Sequence, residues 1–244
     1  MTTERYIFQR SLVYAVGFVF ILWCIKAIEW GASSDFGMLG ILPRTLTGTV
    51  GILTAPLVHG DFSHLLSNTS SLLLLLIALF YFYDKIALEV FFWIYLMTGI
   101  WVWIAARPAY HIGASGLVYG IVTFLFFSGL LRKDARSMAV ALATLFLYGG
   151  MIYGIFPGND NISWESHMLG AVAGTFCAFY FRQNAGSALV AKVSAETNLS
   201  SEDAPSLTFE KFSDTLEDTD KGRILLRYEY VEKKEIDDPD NSFH

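Results

Sequence analysis

Three short stretches of this 244-residue chain carry residue types that together suit acyl-transfer chemistry. Ser115 lies in HIGASGLVYG at 111–120, flanked by Gly113 and Gly116. A serine hydroxyl is a weak nucleophile until a neighbouring base takes its proton, and imidazole suits that task near neutral pH. His167 begins HMLGAVAG at 167–174. The third stretch, HGDFSHLLSN at 59–68, holds His59, His64 and Asn68. The i, i+4 spacing of His64 and Asn68 puts two hydrogen-bond donors on one helix face.

Each residue alone has a plainer reading. A lone membrane histidine usually bonds between helices, and Asn68 can do the same. Gly-x-Ser-Gly can be a packing motif, His59 can hold a turn, and Tyr119 can be an ordinary packing aromatic. What weakens these readings jointly is depth. The three stretches fall at the same end of their helices, which independent packing residues need not do.

Those helices are membrane helices by composition. Hydrophobic residues make up 54% of the chain and charged residues 16%, against roughly a quarter charged in soluble domains. A span needs ~20 mostly apolar residues. Six are expected, at 11–30, 65–83, 86–105, 115–131, 137–155 and 168–182, the fourth and sixth being short. Arg5, Arg10, Lys85, Arg132, Lys133, Arg136 and Arg182 mark one side; Asp35, Asp61, Asp160 and Glu165 mark the other, with Arg44 and Arg107. The positive-inside rule then makes both termini cytoplasmic and loops 31–63, 106–114 and 156–167 external. The first apolar run is too long for a signal peptide. Cys24 and Cys177 fall in apolar runs and read as small hydrophobes. Residues 1–10 form a short cytoplasmic N-terminus and 183–244 an acidic, partly disordered cytoplasmic tail. That tail carries 7 basic and 14 acidic residues. SAETNLSSEDAPS reads as a linker, RILLRYEYV as a short strand or amphipathic segment, and DDPDN as disordered.

The glycines fit the same picture. His167, Gly170, Gly174 and Ala178 lie on one face of the sixth helix, and Gly116 and Gly120 lie on the fourth. Small faces let two backbones approach, so a serine and a histidine on different helices can come within hydrogen-bonding reach. A fourth helix that starts below the external surface places Ser115 at the floor of a water-filled cavity. Irregular backbone is tolerated at that depth only against such a cavity or inside protein.

At these residues the chain resembles the rhomboid family of intramembrane serine proteases. The resemblance covers roughly 10–182 and rests on H-x4-H-x3-N at His59, His64 and Asn68, G-x-S-G at 113–116 with Tyr119, and H-x2-G-x3-G at His167, Gly170 and Gly174. It implies an all-α membrane protein, a six-helix bundle over 11–182 that hydrolyses peptide bonds in or near transmembrane segments. Ser115 would be the nucleophile and His167 the base, a dyad without a required carboxylate. His64, Asn68 and the Ser115 amide would form the oxyanion hole. His59 would hold the first loop, Gly113 and Gly116 would shape the active-site turn, and Tyr119 would stack under the imidazole. The partners implied are transmembrane protein substrates, entering between the second and fifth helices, and the lipid bilayer. No nucleic acid, cofactor or metal is expected, and a bacterial cell membrane is the expected location. Loop 156–167 would be a lid. One departure is the first loop, FGMLGILPRTLTG, which lacks the Trp-Arg pair of some members. Two alternatives stay open: a catalytically silent rhomboid-like scaffold, and a transporter with polar residues along a path.

Overall fold

The computed structural model describes residues 3–132, 134–158 and 163–182. Lys133, Asp160, the centre of the expected lid and the tail from 183, with its linker and RILLRYEYV, lie outside the described residues. The described residues are helical, and no strand occurs among them. The helices are α1 (Thr3–Gly31), α2 (Gly51–Thr54), α3 (Phe62–Phe82), α4 (Ala87–Ala105), α5 (Ser115–Arg132), α6 (Ala135–Tyr148) and α7 (Trp164–Tyr180).

Five helical stretches are long and apolar enough to cross a membrane: α1, α3, α4, α5, and α6 with its extension to Ile155. The sixth expected span corresponds to α7, which has 17 residues. At ~1.5 Å per residue it is ~26 Å long, a little under the ~30 Å of a hydrocarbon core. The boundaries shift in ways local chemistry explains. Asp61 starts α3 by accepting from the His64 amide at 2.8 Å, and Asp134 starts α6 by accepting from the Ser137 amide at 2.9 Å. The fifth span changes to a 3-10 helix over Gly149–Ile155, beginning at a glycine pair with poor helix propensity. α7 begins at Trp164, so His167 sits in its first turn instead of opening it. α1 begins at Thr3, making residues 3–10 its first two turns.

The core is formed by Leu65, Leu72, Leu76 and Leu79 of α3, Val90 and Ile94 of α4, and Ile121, Phe124 and Leu125 of α5. α1 closes one side with Ala15, Val19 and Leu22. The seam between α5 and α7 is different in kind, because there backbone meets backbone. A Cβ on Gly170 would lie 2.0 Å from the Gly116 carbonyl oxygen, and one on Gly174 1.8 Å from that of Gly120. Thr123 crosses the same seam, its hydroxyl donating to the Ala171 carbonyl at 2.8 Å.

The long first loop is tied down by charges within helices. Lys26 and Glu29 of α1 are buried and paired at 2.8 Å. Lys26 also donates to the His59 and Gly60 carbonyls at 2.8 and 3.0 Å, and Glu29 accepts from the Phe36 amide at 3.1 Å. Arg44 reaches the end of α4, donating to the carbonyls of Ile104 (3.1 Å) and Ala106 (2.8 Å). Its amide bonds the Trp103 carbonyl at 3.0 Å, and the Trp103 indole donates to Thr45 at 2.9 Å. A tryptophan does therefore serve the arginine loop, supplied by α4 and not by the loop itself.

Candidate active site

Ser115 is the first residue of α5, where first-turn amides have no intrahelical acceptor. His167 faces it across the seam, with Nε2 2.8 Å from Ser115 Oγ. His167 Nδ1 lies 2.9 Å from the Gly154 carbonyl oxygen. A carbonyl only accepts, so Nδ1 carries the proton and Nε2 presents its lone pair to the serine hydroxyl. That is the tautomer a base needs. Tyr119, one turn below Ser115, lies flat against the imidazole at 4.3 Å and 9°. Its hydroxyl donates to the Met151 carbonyl at 2.8 Å, so the 3-10 segment holds both rings.

A cavity of about 540 Å³ opens beside this pair. His64, Asn68, Ser115, Tyr119 and His167 all line it. Asn68 donates one amide hydrogen to the His64 carbonyl at 3.1 Å, the i−4 position, which fixes the side chain's direction. His64 stands edge-on to His59, 5.1 Å away. It also stands over Gly113, where a Cβ would lie 2.6 Å from the His64 ring, and Gly113 has φ of +101°. Space and backbone both demand glycine there.

His59 does not line the cavity. It is 1% exposed behind it, and its Nε2 accepts weakly from the Ala114 amide at 3.4 Å. Burial, then the nearby His64, push its pKa down to about 4, so it is neutral at neutral pH. Gly116, Gly170 and Gly174 lie on the seam, with the Gly116 Cβ position 3.0 Å from the Ser166 carbonyl oxygen. Glu165 is buried and turned toward Arg107, with Oε1 3.5 Å from Nε. The far nitrogen of His167 is thus held by Gly154, not by Glu165.

The Rhomboid domain family model matches residues 47–184, which include every one of these groups. The chain belongs to the rhomboid family. Together with its five long apolar helices, this makes it an integral membrane protein. Similar proteins include Uncharacterized protein Rv1337 of Mycobacterium tuberculosis, 33% identical over 175 residues covering 66% of this chain and 71% of that one. Uncharacterized protein ML1171 of Mycobacterium leprae is 34% identical over 192 residues, covering 70% of this chain and 74% of that one. No solved structure matches this chain.

Several parts of this rhomboid site are absent from the sequence-derived candidates. The Gly154 carbonyl carries no sequence signal, because every residue has one. Lys26 and Glu29 did carry one: opposite charges spaced i, i+3 inside an apolar helix. His111 is another. It lines the cavity, with Nδ1 2.5 Å from Ser163 Oγ and Nε2 3.1 Å from the Arg107 carbonyl.

Proposed function

We propose that this rhomboid is an intramembrane serine endopeptidase, cleaving peptide bonds in or near transmembrane segments of membrane proteins. The observation that carries the reading is the 2.8 Å contact between Ser115 Oγ and an imidazole whose other nitrogen faces a carbonyl, beside a cavity. Ser115 Oγ attacks the scissile carbonyl carbon while its proton passes to His167 Nε2. The resulting oxyanion is met by His64, Asn68 and the Ser115 amide. In comparable sites, loss of one such donor removes ~3–4 kcal/mol of transition-state stabilisation. His167 then gives its proton to the leaving amine, and an acyl-enzyme remains. Water from the cavity, deprotonated by His167, completes hydrolysis and restores the serine.

The substrate segment must present an unwound backbone, because helical amides and carbonyls are already paired and shielded. Gly, Pro and polar residues in the substrate helix therefore favour cleavage. Entry between α3 and α6, the second and fifth spans, fits how little of α6 is covered. We place the catalytic unit at 11–182, with α7 as the sixth span, in a bacterial cell membrane with both termini cytoplasmic. His59 supports the turn before Ser115, and Gly113, Gly116, Tyr119, Gly170 and Gly174 shape the site.

The test is labelling of purified protein by a fluorophosphonate probe, comparing wild type with Ser115→Ala and His167→Ala. Labelling of wild type alone is expected. Absence of labelling in folded wild type would replace the protease by a silent scaffold.

A further inference from the structure

Ser115 and His167 lie on separate helices, the first preceded by the loop segment 106–114 and the second by Ser163 and the start of α7. A second connection joins those two lead-in segments, about one turn before each residue. The segment before Ser115 is held by its backbone: His111 and Ile41 exchange both amide bonds at 2.9 Å, and the Gly113 amide donates to Ala55 at 2.9 Å. The His111 side chain points the other way, toward α7. Its Nε2 faces the Arg107 carbonyl at 3.1 Å, which places the proton on Nε2. Nδ1 is then an acceptor, and the Ser163 hydroxyl donates a hydrogen bond to it at 2.5 Å. Ser163 Oγ in turn lies 2.6 Å from Ser166 Oγ, which donates to it. The chain has one direction: Ser166 to Ser163 to His111 to Arg107.

Ser163 and Ser166 bracket the first turn of α7. The Ser163 carbonyl accepts from the His167 amide at 3.3 Å, and Ser166 directly precedes His167. The Arg107–Glu165 ion pair spans the same two segments but is looser at 3.5 Å, and its arginine is partly exposed. A neutral, directed set of short hydrogen bonds fixes registry better than a partly solvated ion pair.

We propose that His111 and Ser163, with Ser166, are positioning residues that set the distance between the nucleophile and the base. They act by locking the backbone before Ser115 to the first turn of α7. The inference rests on the protease reading above. Because the 2.8 Å dyad contact is one hydrogen bond between two helices, a small slide of α7 would open it, and misplacement of reacting groups is costly.

The test uses the full chain and measures the rate of Ser115 labelling by a fluorophosphonate, with a melting temperature for each variant. Wild type that fails to label sinks the protease reading; a labelling wild type makes the variants decisive for this one. Ser163→Ala and His111→Phe are each expected to slow labelling by about tenfold or more. Ser163→Thr, which keeps the hydroxyl, should stay within about twofold of wild type, as should His111→Asn, which keeps an acceptor near the Nδ1 position. The double variant Ser163→Ala with His111→Phe should be no slower than the worse single, since both cut one chain. Wild-type rates in Ser163→Ala would overturn the proposal, as would equal losses in Ser163→Ala and Ser163→Thr, or a double variant whose loss is the product of the singles. If His111→Phe fails to fold, the Ser163 pair alone decides.

Discussion

α5 and the α6 segment are sequence neighbours of similar length, yet 56% of the residues in the apolar stretch of α5 are buried against 11% in that of α6. α5 is covered by α3, α4, α6 and α7, whereas α6 packs chiefly against α5. α5 carries Gly116 and Gly120, and α7 sets Gly170 and Gly174 into them until backbones touch. α6 carries Leu142, Leu145, Phe146 and Leu147 outward, with Phe146 88% exposed. In a membrane protein, apolar exposure is lipid contact and needs no partner. The contrast separates two duties. The rigid seam holds Ser115 against His167, while the loosely covered segment, on the protease reading proposed above, would leave room for a substrate helix. The loose side nevertheless lends one carbonyl, from Gly154, to His167 and another, from Met151, to the Tyr119 hydroxyl beneath it.

The severest way to break the contrast is to open the seam. Gly170→Val would drive a branched side chain into a site where even a Cβ sits 2.0 Å from the Gly116 oxygen. We expect more than about 3 kcal/mol of destabilisation, the upper end of overpacking, and loss of fluorophosphonate labelling. A melting temperature near wild type would mean that the seam yields easily.

Next in size is a pH effect behind the site. Burial lowers the His59 pKa to about 4 from 6.5, so the folded protein binds fewer protons than the unfolded chain between those values. The stability from keeping His59 neutral is present above pH 6.5, declines as pH falls, and is gone below about 4. Over that window it amounts to ~3 kcal/mol, at 1.36 kcal/mol per unit. Thermal melts of wild type and His59→Gln across pH 4–7 isolate it: the wild-type curve should fall more steeply on the acid side. Parallel curves would remove His59 as the cause.

The seam and the side-chain constellation were legible in the sequence because both are written in residue types at helical spacing. His167, Gly170 and Gly174 could only be one face, and His64 with Asn68 could only be another. What could not be read is what the backbone supplies. Gly154 orients His167 through a carbonyl, and although the glycine pair at 149–150 hints at a break in the helix, nothing in residue type says that the 3-10 turn aims this carbonyl at an imidazole 13 residues on. The Trp103 partner of the Arg44 loop was illegible for a related reason, since 58 residues separate Trp103 from Thr45 and only the fold joins them. Lys26 and Glu29 were legible as opposite charges spaced i, i+3 within an apolar helix.

The loose region's link to the dyad is the next point of attack. A Cβ on Gly154 would lie 2.0 Å from the Tyr119 hydroxyl and 3.4 Å from His167 Nδ1. Gly154→Ala should therefore push Tyr119 aside and shift the carbonyl that fixes the imidazole. Labelling should slow by about 10- to 100-fold, equivalent to ~1.4–2.7 kcal/mol in the barrier, with a modest change in melting temperature. An unchanged rate would show that the seam alone orients His167 and that the α6 segment contributes nothing to chemistry.

The smallest effect is the complement of the first. Phe146→Ala removes a large side chain, a change that costs 3–5 kcal/mol in a buried core. At 88% exposure the ring contacts lipid in the folded state and in a membrane-inserted, unpacked state alike. The two contributions cancel, so the melting temperature should move by no more than about 0.5 kcal/mol implies, near 2 °C. Labelling should be unchanged. A fall comparable with that of Gly170→Val would mean that α6 packs against the bundle when substrate is absent. The difference between the two helices would then be one of conformational state, with α6 moving out only to admit a segment, and not a fixed property of the fold.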